Sequence, residues 1–195
     1  MELAKIAWSS SPAPLASSVP RSSTRIWEAA LSYREIDITG IPERHPVRCF
    51  QGYWNSRAGA GNPPLRSQIN PADIASILPW LLVLETLRFH DKREFRYRLA
   101  GTGCTELFGV DYTGKMLGEN LTPEGTEIRQ REFNSVIETC HPILSTTNLP
   151  IKAKDFIAVH RGVFPVSLTG SSIDQIFVVV APTATECSVR LPLSS

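Results

Sequence analysis

No apolar run in the chain approaches the roughly 18–20 residues needed to cross a bilayer, so a membrane-spanning helix is excluded. A surplus of either charge is also missing, with 20 basic residues against 19 acidic ones. Without a global field to draw DNA, RNA or anionic lipid, neither nucleic acid nor a membrane is expected as a partner. Cysteine is sparse. Cys49, Cys104, Cys140 and Cys187 form no C-x-x-C pair and have no histidine at finger spacing, so no metal site is expected. Cys104 follows a glycine at the start of a presumed helix, a position that can lower a thiol pKa, but an idle or buried thiol is the simpler reading. Catalytic signatures are absent as well: there is no Gly-x-Ser-x-Gly elbow, no His-Glu-x-x-His pair and no dinucleotide fingerprint. The GAGNPP run at 59–64 lacks both the Gly-Lys-Ser/Thr ending and the leading strand of a phosphate loop. An enzyme is not expected. The early Glu2 and the serine and proline that follow lack the apolar core of a secretory signal, so the expected location is the cytoplasm.

What the chain does contain is a succession of short patterned segments. Residues 9–23, SSSPAPLASSVPRSS, cannot bury enough apolar area to offset the entropy of ordering them, and residues 1–22 are expected to form a flexible arm. Residues 23–68 read as a helical extension and linker. Within them Ile26, Trp27, Ala30 and Leu31 make one apolar helical stripe. That stripe either covers a sheet face or pairs with a second copy, so Trp27, Leu31 and Trp54 are candidates for a homodimer or partner surface. Phe50, Tyr53 and Trp54 recur at i, i+3 and i+4 and predict a helix from about Val47 to Arg57. Asn70-Pro71-Ala72-Asp73 is a helix start, with Asn70 as cap, and Pro79 stops it after about two turns.

Residues 81–87 are apolar at almost every position and read as a strand covered more completely than the half-buried one that follows. In the next strand, 95–99, alternation sends Phe95, Tyr97 and Leu99 one way and Arg96 and Arg98 the other. Gly101-Thr102-Gly103 then breaks the strand, and Thr105 to Gly109 gives about one helical turn, with Thr102 as its expected cap. Residues 123–140 predict the longest helix, with Phe133, Val136, Ile137 and Cys140 inward and Arg129, Gln130, Arg131 and Glu138 toward water. Strands follow at 143–150, 155–168 and 173–180, and Pro165 requires an edge or an interruption in the middle one. This order predicts an α+β domain: a five-stranded antiparallel sheet with helices on one face, a core over 69–181 and a tail over 182–195. The other face then needs cover, from the helices before Pro79 or from a second subunit.

Several of these segments together resemble the small PAS domain-containing proteins found mainly in alphaproteobacteria. The resemblance rests on Tyr53-Trp54, Pro64 and Arg66, Ile69-Asn70-Pro71 with Ile74 and Leu78-Pro79-Trp80, Phe95-Arg96-Tyr97-Arg98-Leu99 with Gly101-Thr102, and Phe108-Gly109, Asp111 and Thr113-Gly114-Lys115. It covers about Phe50 to Val180. The chain departs from it at Gly162–Leu168, where relatives carry a more polar strand, and at Thr169–Ser172, where they carry an acidic turn. The resemblance implies a PAS-like sensory fold with a hollow between sheet and middle helices. Tyr97, Leu99, Thr102, Phe108, Met116, Phe133 and Ile137 are the candidate pocket residues. A small organic ligand suits that list. A flavin-bonding Asn-Cys-Arg-Phe-Leu segment is missing, and haem would have to rely on His141, so neither cofactor is expected. The expected function is a stand-alone sensory or regulatory module, signalling through a homodimer or a signalling-protein partner. The alternatives are a ligand-free adaptor and, least favoured, an enzyme.

Overall fold

The computed structural model describes residues 33–59, 61–89, 92–152 and 155–187. The arm, the stripe carrying Trp27 and Leu31, His90 and Asp91, and the last eight residues lie outside them. Six strands make one antiparallel sheet: β1 (Arg34–Glu35), β2 (Leu81–Phe89), β3 (Lys92–Ala100), β4 (Ile143–Lys152), β5 (Asp155–Val166) and β6 (Gln175–Pro182), in the order β1-β4-β5-β6-β2-β3. The sixth strand corrects the expected five. β1 is two residues long and pairs Arg34 with Thr146 and Glu35 with Ser145, too short to leave a period in the sequence.

Both faces of the sheet are apolar, because its central strands alternate between two cores. Leu81 and Val83 of β2, Phe177 and Val179 of β6 and Phe164 and Val166 of β5 point to one side. Leu82 and Leu84, Ile176, Val178 and Val180, and Val159 and Val163 point to the other. Helix α1 (Pro46–Arg57) covers the first side with Val47, Phe50, Tyr53 and Trp54, the stripe that its spacing predicts. Thus the face left over by the middle helices is covered within the chain. His45 caps α1: its Nδ1 accepts from the Val47 N–H at 3.2 Å, which leaves Nε2 to donate to the Pro182 carbonyl at 3.1 Å.

The run at 70–80 is a pair of 3₁₀ turns, Pro71–Ile74 and Leu78–Trp80, in place of the expected two-turn α-helix. Asn70 does cap the first, accepting from the Ala72 N–H at 3.2 Å. The Tyr53 hydroxyl accepts from the Asn70 N–H at 2.9 Å and donates to Asp73 at 3.2 Å, so these turns are tied to α1. Pro165 sits where β4 has already ended, since Ile143 pairs with Val163. Its free carbonyl accepts from the Trp54 indole N–H at 2.9 Å. Trp54 is only 6% exposed. This corrects its assignment to a dimer or partner surface: the ring is an internal brace.

On the other side lie α2 (Thr102–Phe108) and α3 (Pro123–Thr139). Gly101, not Thr102, is the cap of α2, and Gly109 ends it in the left-handed region at φ 68°. Thr122 caps α3 by accepting from the Gly125 N–H at 3.1 Å, and Pro123 takes its first position. Between the two helices the chain runs along the outer rim of β3. There the Tyr97 N–H donates to Lys115, the Gly114 N–H to Tyr97, and the Leu117 N–H to Phe95, at 2.7–2.9 Å.

Candidate functional site

The hollow lies between the sheet and the α2–α3 side, and its volume is about 340 Å³. Leu82, Val159, Val178 and Val180 form its floor, because they are the residues that β2, β5 and β6 turn to this face. Thr147 and Leu149 of β4 extend the floor. Its aromatic wall is assembled from three elements. Tyr97 of β3 stands 5.0 Å from Tyr112, and Phe108 at the end of α2 meets Tyr112 edge-on at 5.5 Å. Phe133 of α3 packs edge-on to Phe95 at 5.0 Å. Burial pushes the Tyr97 phenol up to about 12, so its hydroxyl keeps its proton as a hydrogen-bond donor.

A buried charge cluster closes one end. Arg161 of β5 is 6% exposed and sits between Val159 and Val163, on the apolar side of its strand. Its Nη1 donates to Oε2 of Glu132, itself 6% exposed on α3. The same oxygen accepts from Arg129 Nη1 at 3.2 Å. The Arg161 guanidinium also lies 5.5 Å from the centre of the Phe133 ring. Burial and the neighbouring Arg129 both disfavour the charge on Arg161, while Glu132 favours it. Behind the cluster, the Tyr33 hydroxyl stands 3.4 Å from both Glu132 Oε1 and Glu35 Oε1 and shares its one proton between them, and Arg129 lies 5.7 Å from the Tyr33 ring centre. Arg129 and Arg161 line the hollow, whereas Glu132 and Tyr33 line a separate groove on the outer side of α3.

Of the seven pocket candidates, Tyr97, Phe108 and Phe133 stand on the hollow. Leu99 does not. A bulge between Val83 and Leu84 breaks the alternation of β3 after Tyr97, so Leu99 pairs with Val83 and turns to the α1 side, 45% exposed. Thr102 is exposed at the start of α2. Met116 is bridged to Arg96 on the rim of β3. Ile137 packs against the edge of the same core but lines a different groove, with Cys140 and Ile173. Arg129, expected to face water, is instead a partner of Glu132.

Sequence reasoning passed over Arg161 and Glu132. Arg161 stands in phase with Val159 and Val163, and Glu132 stands four residues before Val136 on the buried stripe of α3. Those phases were the available signal. Cys104 is fully buried, and burial pushes its thiol up to about 12, which removes it from nucleophilic chemistry. His141 is exposed beyond the end of α3 and is not placed to ligate a group in the hollow.

An antiparallel sheet with helices across it and a hollow beneath them is the arrangement of a PAS-like fold. The chain belongs to the PAS domain family, whose model matches residues 43–176. PAS domains serve in general as sensory or regulatory modules. The match begins just before α1, so that helix and the face it covers are inside it. No curated protein matches the sequence. Among the described residues, no helix is long and apolar enough to cross a membrane.

Proposed function

We propose that this PAS domain is a small-molecule sensor, in which occupancy of the hollow is passed to the segment that precedes β1. The observation that carries this reading is the hollow itself. A space of about 340 Å³ with a mostly apolar floor, an aromatic wall and a few polar groups has the make-up of a ligand pocket. A route outward supports the second half: Arg161 faces the hollow, Glu132 bridges it to Tyr33, and Tyr33 leads into residues 1–32. Binding alone does not switch a protein, so the ligand has to favour one arrangement of that route over another. The module is read as cytoplasmic, with a homodimer or a signalling protein receiving the change.

The test is native mass spectrometry of gently purified protein beside its denatured mass. A retained nonprotein mass, displaced when Phe108 or Leu149 is enlarged to tryptophan, is the expected result. A bare mass at every concentration of a broad metabolite mixture would sink the sensor reading and leave a ligand-free interaction module.

A further inference from the structure

The end of the hollow carries more positive charge than its own architecture needs. Two guanidinium groups, Arg129 and Arg161, share a single carboxylate oxygen on Glu132, so the cluster is left with one excess positive charge. Both cations line the hollow. Among the described residues that line it there is no carboxylate, because Glu132 looks out into the groove beside Tyr33. A guanidinium has five N–H donors, and burying one that is incompletely neutralised is costly unless a further acceptor completes it. The other lining residues are mostly apolar or aromatic, Asn120 and Thr147 being the further polar ones, and Val180 is the cross-strand partner of Arg161.

Resting on the sensor reading above, we infer that the hollow takes a small organic monoanion, a carboxylic acid whose apolar body lies against the aromatic wall and whose carboxylate is received by Arg161 and Arg129. A carboxylate fits the planar fork of a guanidinium through paired hydrogen bonds. It also brings the one negative charge that the cluster lacks. Glu132 is then a competitor for the same donors. When the ligand arrives, part of its hold on Arg161 is exchanged for the ligand carboxylate, and its contact with Tyr33 is free to readjust.

The test uses the full chain and matched pairs of probes: phenylacetate, 3-phenylpropionate, hexanoate and octanoate, each beside its primary amide, titrated by ligand-observed NMR at low salt. At least one acid is expected to bind about tenfold or more tightly than its amide, the scale of a charge-assisted hydrogen bond. Arg161→Gln is expected to erase that preference. Glu132→Gln, which removes the competitor and keeps the shape, is expected to tighten the acid severalfold and leave the amide unchanged, a reversal of sign that a purely structural role would not produce. Amides that bind as well as their acids, or an acid preference that survives Arg161→Gln in folded protein, overturn the inference while leaving the sensor reading in place. Should the Gln variant fail to fold, the acid–amide comparison on the unaltered chain decides alone. If neither acids nor amides bind, the sensor reading falls and takes this inference with it.

Discussion

On the α1 side of the sheet Phe50 meets Phe164 edge-on at 4.9 Å and stacks over Phe177 at 6.2 Å, filling the space between helix and strands. On the α3 side Phe95 and Phe133 meet in the same way, but beside them the strands face a hollow with a buried charge cluster at its end. The same strands, alternating residue by residue, therefore build one solid core and one core with room in it. Tight packing on the first face offsets what the second gives up, since a void forfeits dispersion contacts and buried ions are weak contributors to stability. The difference teaches where to look for tolerance: substitutions should be felt far more on the α1 side.

The largest break of this comparison is Phe50→Ala, expected to cost about 3–5 kcal/mol, whereas Phe108→Ala, half-buried at the mouth of the hollow, is expected to cost about 1–2 kcal/mol. Denaturation midpoints of the two variants check the contrast, and equal losses would show the faces to be packed alike. Next comes acid. Burial holds the His45 imidazole down to about 4, against 6.5 when free, and burial lowers His160, 5.0 Å away, in the same direction. As pH falls the unfolded chain binds its protons first. The stability is thus fully present above pH 6.5 and is lost as pH falls toward the folded value, by up to about 3 kcal/mol. His45→Asn, which retains a capping side chain, is expected to flatten that slope in urea titrations between pH 7 and about pH 4. A slope that persists unchanged would place its origin elsewhere than the α1 face.

How far the comparison was legible beforehand depends on the kind of pattern. The α1 stripe of Phe50, Tyr53 and Trp54 and the Asn70-Pro71 cap are local signals, and the structure contains both. The bulge that turns Leu99 outward is a property of pairing between β2 and β3, and a strict period-two reading carries straight through it. Arg161 escaped for a different reason. When both faces of a strand are buried, neither phase of VHRGVF marks the inside, and a charge on one phase does not stand out. The Asn70-Pro71 cap suits a 3₁₀ turn as well as an α-helix, so it does not distinguish the pair of turns at 71–80 from one helix.

Smaller effects sharpen the same contrast. Trp54→Phe keeps most of the ring but strands the Pro165 carbonyl, which lies inside the α1 core, and is expected to cost about 1–2 kcal/mol. A near-neutral result by thermal denaturation would mean that water reaches that carbonyl. Leu99→Ser is expected to change stability by less than about 0.5 kcal/mol, as for other exposed positions. It also probes assembly: a drop in the mass measured by light scattering would show that a second copy covers Leu99, and would give the outward turn of β3 a use.

The stretch that runs beside β3 has a consequence for how copies of this protein can associate. Its backbone bonds to Phe95 and Tyr97 occupy the positions that an incoming strand would need, so that end of the sheet is already taken. At the opposite end, among the described residues, the two residues of β1 stand outside β4, and β4 itself contains Pro150, which has no N–H to offer. Continuation from molecule to molecule requires two receptive ends. With one of them sealed by the chain itself, this sheet can at most form a closed pair, and growth into an open-ended fibre through its strands has no second place to start.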